Sequence, residues 1–213
     1  MSTTSEVSGL VEAAGRWQGG ASGDDEKART LVAALERAGV RPHIVHISVV
    51  GVDEMPIESG VDRALFGYFA AKLGAERAII ESGLPWTMLR STQTHELTLE
   101  TFRLLAKLPV APVFAGVRLQ PIAAAEVGAR LAELALGVPR GLVADVGGPE
   151  VHGMGELARD ALRHLGKRRA VLPIRLPGGA ARAYREGANL APEHATGAMT
   201  WDAFLQQRAE VAA

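Results

Sequence analysis

Tyr68 precedes Lys72 by four residues in Gly67-Tyr68-Phe69-Ala70-Ala71-Lys72, and Ser48 closes an apolar run upstream of both. On a helix, positions i and i+4 share a face, which sets the Lys72 ammonium beside the Tyr68 phenol. A neighbouring cation favours phenolate and draws the phenol down from its reference pKa of about 10. A phenol tuned in this way exchanges a proton with a carbonyl or alcohol oxygen, and Ser48 can hold that oxygen by a hydrogen bond. Spacing alone is also what an ordinary core tyrosine on an apolar helix would show.

Such a constellation needs elements that hold it, and the apolar periodicity supplies them. Residues 1–23 are rich in Gly, Ser and Thr and read as a loose lead-in rather than a strand. Asp24-Asp25 reads as a helix cap, followed by Ala28, Leu31, Val32, Leu35 and Ala38 at helical spacing until Gly39. His43–Val50 is short, β-branched and apolar, as a buried parallel strand should be. A helix over 62–82 carries the Tyr-Lys pair, with apolar residues around most of its circumference. One face is expected to meet the sheet and another a partner. Trp86–Arg90 is the next strand, and Ser91-Thr92-Gln93-Thr94-His95 leaves its carboxyl end, where ligands of open α/β sheets gather. Helix 97–107, a turn with Pro109 and Pro112, helix 124–136, strand 142–146 and helix 154–165 continue the alternation, so the fold class is α/β with a parallel sheet. Residues from about 171 to 213 form an irregular cap on a single domain spanning 24–213.

Composition narrows the function classes. Lys and Arg number 23 against 24 Asp and Glu, and aromatic residues are only 5%, which argues against a nucleic-acid surface. The one dense basic cluster, Lys167-Arg168-Arg169, reads as a solvated helix end. There is no cysteine, which excludes disulfides, thiolate nucleophiles and the usual structural zinc sites. Neither a signal peptide nor a membrane-spanning run is present in the sequence, so a cytoplasmic protein with no membrane partner is expected.

The segments His43-Ile44-Val45-His46-Ile47-Ser48-Val49-Val50-Gly51-Val52-Asp53, Tyr68 to Lys72 and Gly83-Leu84-Pro85-Trp86-Thr87-Met88-Leu89-Arg90 resemble the short-chain dehydrogenase/reductase superfamily, in its atypical NAD(P)H-binding, NmrA-like branch. The runs Gly187 to His194 and Thr200 to Leu205 are similar to that branch too. The resemblance covers roughly 24–205. It implies a Rossmann-type doubly wound sheet and NADP or NAD as cofactor. It also implies Tyr68 as general acid/base, Lys72 on the nicotinamide ribose and lowering the Tyr68 pKa, Ser48 orienting the substrate oxygen, and Ser91, Thr92 and Gln93 near the nicotinamide. His95, Arg118 and Gln120 fall on the substrate side. The substrate class is a small carbonyl or alcohol. A non-catalytic NAD(P)H-sensing module and a dimerising remnant are the alternatives.

One departure stands out. The family's Gly-rich turn between a first strand and first helix holds the pyrophosphate on backbone N–H groups. Gly19-Gly20-Ala21-Ser22-Gly23 follows Arg16-Trp17-Gln18 rather than a buried strand, and Gly147-Gly148 and Gly178-Gly179 read as turns. The expectation is therefore a fold truncated at its N-terminus by about two βα units, or roughly 60 to 80 residues. A misassigned start, a shortened paralogue and an engineered fragment all remain open. The strand His43–Val50 would then be the fourth of the order 3-2-1-4-5-6, its edge bare beside an absent first strand, and a homodimer is expected to cover it. His43 and His46, at i and i+3 of a strand, point to opposite faces and make no metal pair.

Overall fold

The computed structural model describes residues 10–12 and 23–211. β2 (Ile44–Val49) and β3 (Trp86–Ser91) pair in parallel over their whole length, from Ile44↔Trp86 to Val49↔Ser91. Most of their residues are buried, which is why both read as continuous rather than alternating apolar runs. β1 (Leu10–Glu12) lies parallel to the first half of β2, with Leu10 opposite Ile44 and Glu12 opposite His46. β6 (Gly141–Leu142) joins the far side of β3, giving the order β1-β2-β3-β6.

β1 corrects two expectations at once. A strand sits inside the supposed lead-in, and the edge of β2 expected to be bare has a neighbour. Three consecutive parallel strands lying side by side match the 4-5-6 run of a doubly wound sheet and equally its 1-2-3 run, so β2 is the middle strand of such a run and not the fourth. The short Leu10–Glu12 run is hidden in the sequence because Gly, Ser and Thr surround it. The glycine-rich stretch 19–22 lies outside the described residues.

α1 (Asp24–Ala38) and α2 (Gly60–Glu81) cover one face of the sheet through Ala28, Ile44, Ala75, Ile79 and Met88. α4 (Ala124–Leu136) covers the other through Val45, Leu89, Val127, Leu131 and Leu134. Helices on both faces of a parallel sheet define the doubly wound α/β class. α2 starts at a capping box: Ser59 Oγ accepts from the Asp62 N–H at 3.0 Å, and Asp62 Oδ2 accepts from the Ser59 N–H at 3.1 Å. Its apolar circumference is met within the chain by the sheet, α1 and α6 (Gly179–Glu186), leaving Leu65 and Ile80 as its exposed large residues.

The C-terminal portion builds its own core. α3 (His95–Leu105), α5 (Met154–His164) and α7 (Trp201–Val211) gather Phe102, Leu157, Trp201 and Phe204. A two-stranded parallel ribbon of β4 (Val110–Phe114) and β8 (Ala170–Ile174) closes it. The turn expected at Pro112 is thus a strand. A two-stranded ribbon is all edge, where proline's missing N–H costs little. β5 (Arg118–Leu119) and β7 (His152–Gly153) form a short antiparallel pair.

Two close approaches tie this portion to the sheet. Gly51 has φ of 77°, and a Cβ there would lie 1.9 Å from the Ala188 carbonyl oxygen. A Cβ on Gly148 would lie 1.7 Å from the carbonyl oxygen of Pro121, so this glycine serves contact, where the sequence suggested only a turn. Among the described residues no helix is long and apolar enough to cross a membrane.

Candidate active site

α2 presents Tyr68, Lys72 and Glu76, one turn apart, toward the carboxyl end of the sheet. The Lys72 ammonium lies 5.8 Å from the Tyr68 ring centroid, so the expected adjacency is present. Its chemistry differs from expectation. Lys72 Nζ is 2.9 Å from Asp24 Oδ2 and donates to the Ile47 carbonyl at 3.3 Å, in surroundings that leave its side chain only 2% exposed. Asp24 is not the helix cap, since Gly23 holds that position; its carboxylate stands in the first turn of α1 and neutralises the lysine. The Tyr68 phenol is consequently held above its ordinary pKa, by burial first, then by the charge of Asp24 and by Tyr184. Burial and the Asp24 counter-ion, neither visible in the Tyr-Lys spacing, reverse the shift expected from the cation alone.

Glu76, four residues beyond Lys72, meets Arg90 at 2.8 and 3.0 Å, and Asp53 completes the cluster at 3.0 Å. Ser48 is opposite Arg90 in the register and shares the face that α1 and α2 cover. Its Oγ is buried with no hydrogen-bond partner. Of the loop after β3, Ser91 Oγ donates to the Thr92 carbonyl and Thr92 Oγ1 to the Gln120 carbonyl. Gln93 differs from both. Its Nε2 donates to the Tyr184 phenol at 3.2 Å, and its Oε1 is buried and unpartnered. Tyr184, on α6, packs its ring against Phe66 and Phe69, and burial pushes its phenol up to about 12.

The substrate-side residues separate. Arg118 is exposed on β5. Gln120 is 1% exposed, with Nε2 donating to the Gly148 and Ala191 carbonyls and Oε1 accepting from the Ala191 N–H. Those bonds make it a structural clamp. His95 is fully buried, stacked on Phe204 with ring centroids 5.0 Å apart, and Nε2 meets the Met199 carbonyl at 2.9 Å. It faces the C-terminal core instead of a ligand, because it opens α3 rather than ending the loop. His43 meets Thr87 Oγ1 at 2.8 Å, and no metal-ligating cluster occurs among the described residues. The helix-end reading of Lys167-Arg168-Arg169 also changes: α5 stops at His164, and the triplet leads into β8.

Burial lowers the His95 pKa below its ordinary value. A depressed folded-state pKa means that its contribution to stability is full above the unfolded value of about 6.5 and fades as pH falls toward the folded one. Thermal melts from pH 7.5 to 5 should show a decline of which part disappears in His95→Phe. An unchanged slope in that variant would assign the decline elsewhere.

These features define an α/β protein of the doubly wound Rossmann type, with a tyrosine-lysine pair at the carboxyl end of its sheet. Residues 6–109 match the family described as NAD(P)H-binding. The fold resembles the NADPH-dependent quinone oxidoreductase of Escherichia coli solved with NADPH, at TM-score 0.65 and 16% identity over 93% of this chain and 75% of that one. It also resembles a nucleoside-diphosphate-sugar epimerase from Staphylococcus aureus, at TM-score 0.61 and 16% identity over 92% and 75%. Triphenylmethane reductase of Citrobacter sp. is similar at TM-score 0.60 and 16% identity over 94% and 74%. No curated protein matches the sequence.

On the nicotinamide side the residues fit such a cofactor. Two buried oxygens without partners, Ser48 Oγ and Gln93 Oε1, belong to residues at the carboxyl ends of β2 and β3. Lys72 fits once Asp24 releases it. The pyrophosphate cradle is not found among the described residues.

Proposed function

We propose that the chain is an NAD(P)-dependent oxidoreductase acting on a small carbonyl or alcohol. The adjacency of Tyr68 and Lys72, with Lys72 bonded to Ile47 next to the unsatisfied Ser48 Oγ, carries this reading. The cofactor supplies or accepts the hydride. Tyr68 gives its phenolic proton to the carbonyl oxygen in reduction, or takes one back in oxidation, and Ser48 orients that oxygen by donating a hydrogen bond. Lys72 holds the ribose and lowers the Tyr68 pKa only when its ammonium is no longer matched by Asp24. Gln93 positions the ring nearby, and Arg118 is the exposed candidate for the substrate's far end.

A second reading, an NAD(P)H-sensing module without turnover, is favoured by the Asp24–Lys72 pair, which leaves Tyr68 protonated and poorly acidic. Titrating NADPH and NADH against the purified protein, with a carbonyl panel present, separates the two. Binding with turnover supports the enzyme, and binding without turnover supports the sensor. No binding removes both. Assembly as a homodimer through α2, whose Leu65 and Ile80 stay exposed, is part of the same proposal, and light scattering on a dilution series tests it.

Asp24→Asn is the informative variant. Leaving the Lys72 ammonium buried and unmatched should destabilise the fold by about 3 kcal/mol. It should also bring the Tyr68 titration down in a Tyr184→Phe background, followed by ultraviolet absorbance. A Tyr68 titration unmoved by this change would show that Asp24 does not set it.

A further inference from the structure

The β4–β8 ribbon buries mainly one side. Ala111, Val113 and Val171 face the C-terminal core; of the alternate residues, Phe114 packs on that core and on the Phe66 ring, while Val110, Ala170, Leu172 and Ile174 are exposed. Val110, Leu172 and Ile174 are 40%, 48% and 40% exposed, and Leu108 at 45% continues the patch. Aliphatic tips gathered on one face mark a contact surface. Both strands contain a proline, Pro112 and Pro173, which removes N–H donors that an added strand would use. A partner is therefore recognised by side chains, and neither cavity found, one between α1 and α2 and one beside α4, lies on this face.

Charge indicates the partner. Residues 101–125 and 161–185 contain 10 Lys and Arg and no Asp or Glu, in a chain whose net charge is -1. The register Val110↔Ala170 sets exposed Lys107 beside exposed Lys167, Arg168 and Arg169 at one end of the ribbon, and exposed Arg175 follows its other end. Among the described residues none of these five has an ion-pair partner.

We infer that the outer face of the β4–β8 ribbon docks on an anionic lipid surface, with Leu108, Val110, Leu172 and Ile174 entering the headgroup layer and the flanking Lys and Arg residues meeting lipid phosphates. Nucleic acid would supply the phosphates but offers no apolar layer to the aliphatic tips, and the face has no Trp or Tyr on which bases stack. Cations near an anionic leaflet each strengthen attachment about fivefold, which the apolar contact then supplements.

The test is flotation of the full chain with vesicles of phosphatidylcholine alone and with vesicles of phosphatidylcholine mixed with anionic phosphatidylglycerol. The expected result is binding to the anionic vesicles only. Lys167→Gln/Arg168→Gln/Arg169→Gln should weaken it by roughly a hundredfold, and Leu172→Ser/Ile174→Ser should weaken it at least tenfold at unchanged helicity by circular dichroism. The charge variant lies wholly on exposed loop residues, so it remains a valid test if the apolar variant misfolds. No anionic-vesicle binding, equal binding to both vesicles, or parent-level binding by the charge variant would overturn the inference. So would tighter capture of a DNA duplex than of vesicles, or a dimer that Leu172→Ser/Ile174→Ser dissociates.

Discussion

Tyr68→Phe is expected to lower any NAD(P)H-dependent turnover by a factor of roughly 10²–10⁴, the usual worth of a positioned proton donor. Cofactor affinity should stay nearly unchanged, because the ring packs edge-on against Phe69 with or without its hydroxyl. Lys72→Ala should lose both, since the proposed ribose contact goes with the charge. The pH dependence carries the sign. In the free protein Asp24 pairs with Lys72 and the phenol stays protonated across the neutral range; Lys72 released to the ribose draws it down, so reduction, which needs the proton, should fall and oxidation should rise as pH passes the lowered value. Initial rates in both directions from pH 6 to 10 check this. Parent-level turnover by Tyr68→Phe would exclude Tyr68 as the proton carrier.

Glu76→Ala should be the most destabilising single change near the site, by about 3–5 kcal/mol in urea unfolding, because it strands a guanidinium whose side chain is only 12% exposed. Asp53→Ala removes the other carboxylate from the same Arg90 but should cost less than about 1 kcal/mol, since Asp53 is 52% exposed and water replaces it. Comparable losses in the two variants would mean that the cluster acts as a single unit rather than a buried pair with an exposed addition.

Elements were legible where the signal was local. β2, α2, β3, α4 and α5 follow from apolar period and from stops such as Gly39 and Gly83, because each buries enough of its own side chains to leave a pattern. β1 and β4 were hidden: three residues carry no period, and Pro112 argued for a turn in a ribbon that tolerates it. The site divides along the same line. Tyr68 and Lys72 were readable because both lie on one helix, and Glu76 at the next turn was a signal left unused. Asp24, Gln93 with Tyr184, and the closed roles of Gln120 and His95 depend on segments 48 to 104 residues apart meeting in space. No spacing rule reaches that far.

The amide of Gln120 joins three stretches of chain: its own segment just after β5, Gly148 after β6, and Ala191 before the last helix. With both polar ends saturated in a dry setting, none of these stretches can open without breaking bonds to the others. The C-terminal cap should therefore share one melting transition with the sheet instead of fraying ahead of it. Amide protons on α7 would exchange as slowly as those on β3, and a protease acting on the native protein would find no severable tail between Gly148 and Trp201.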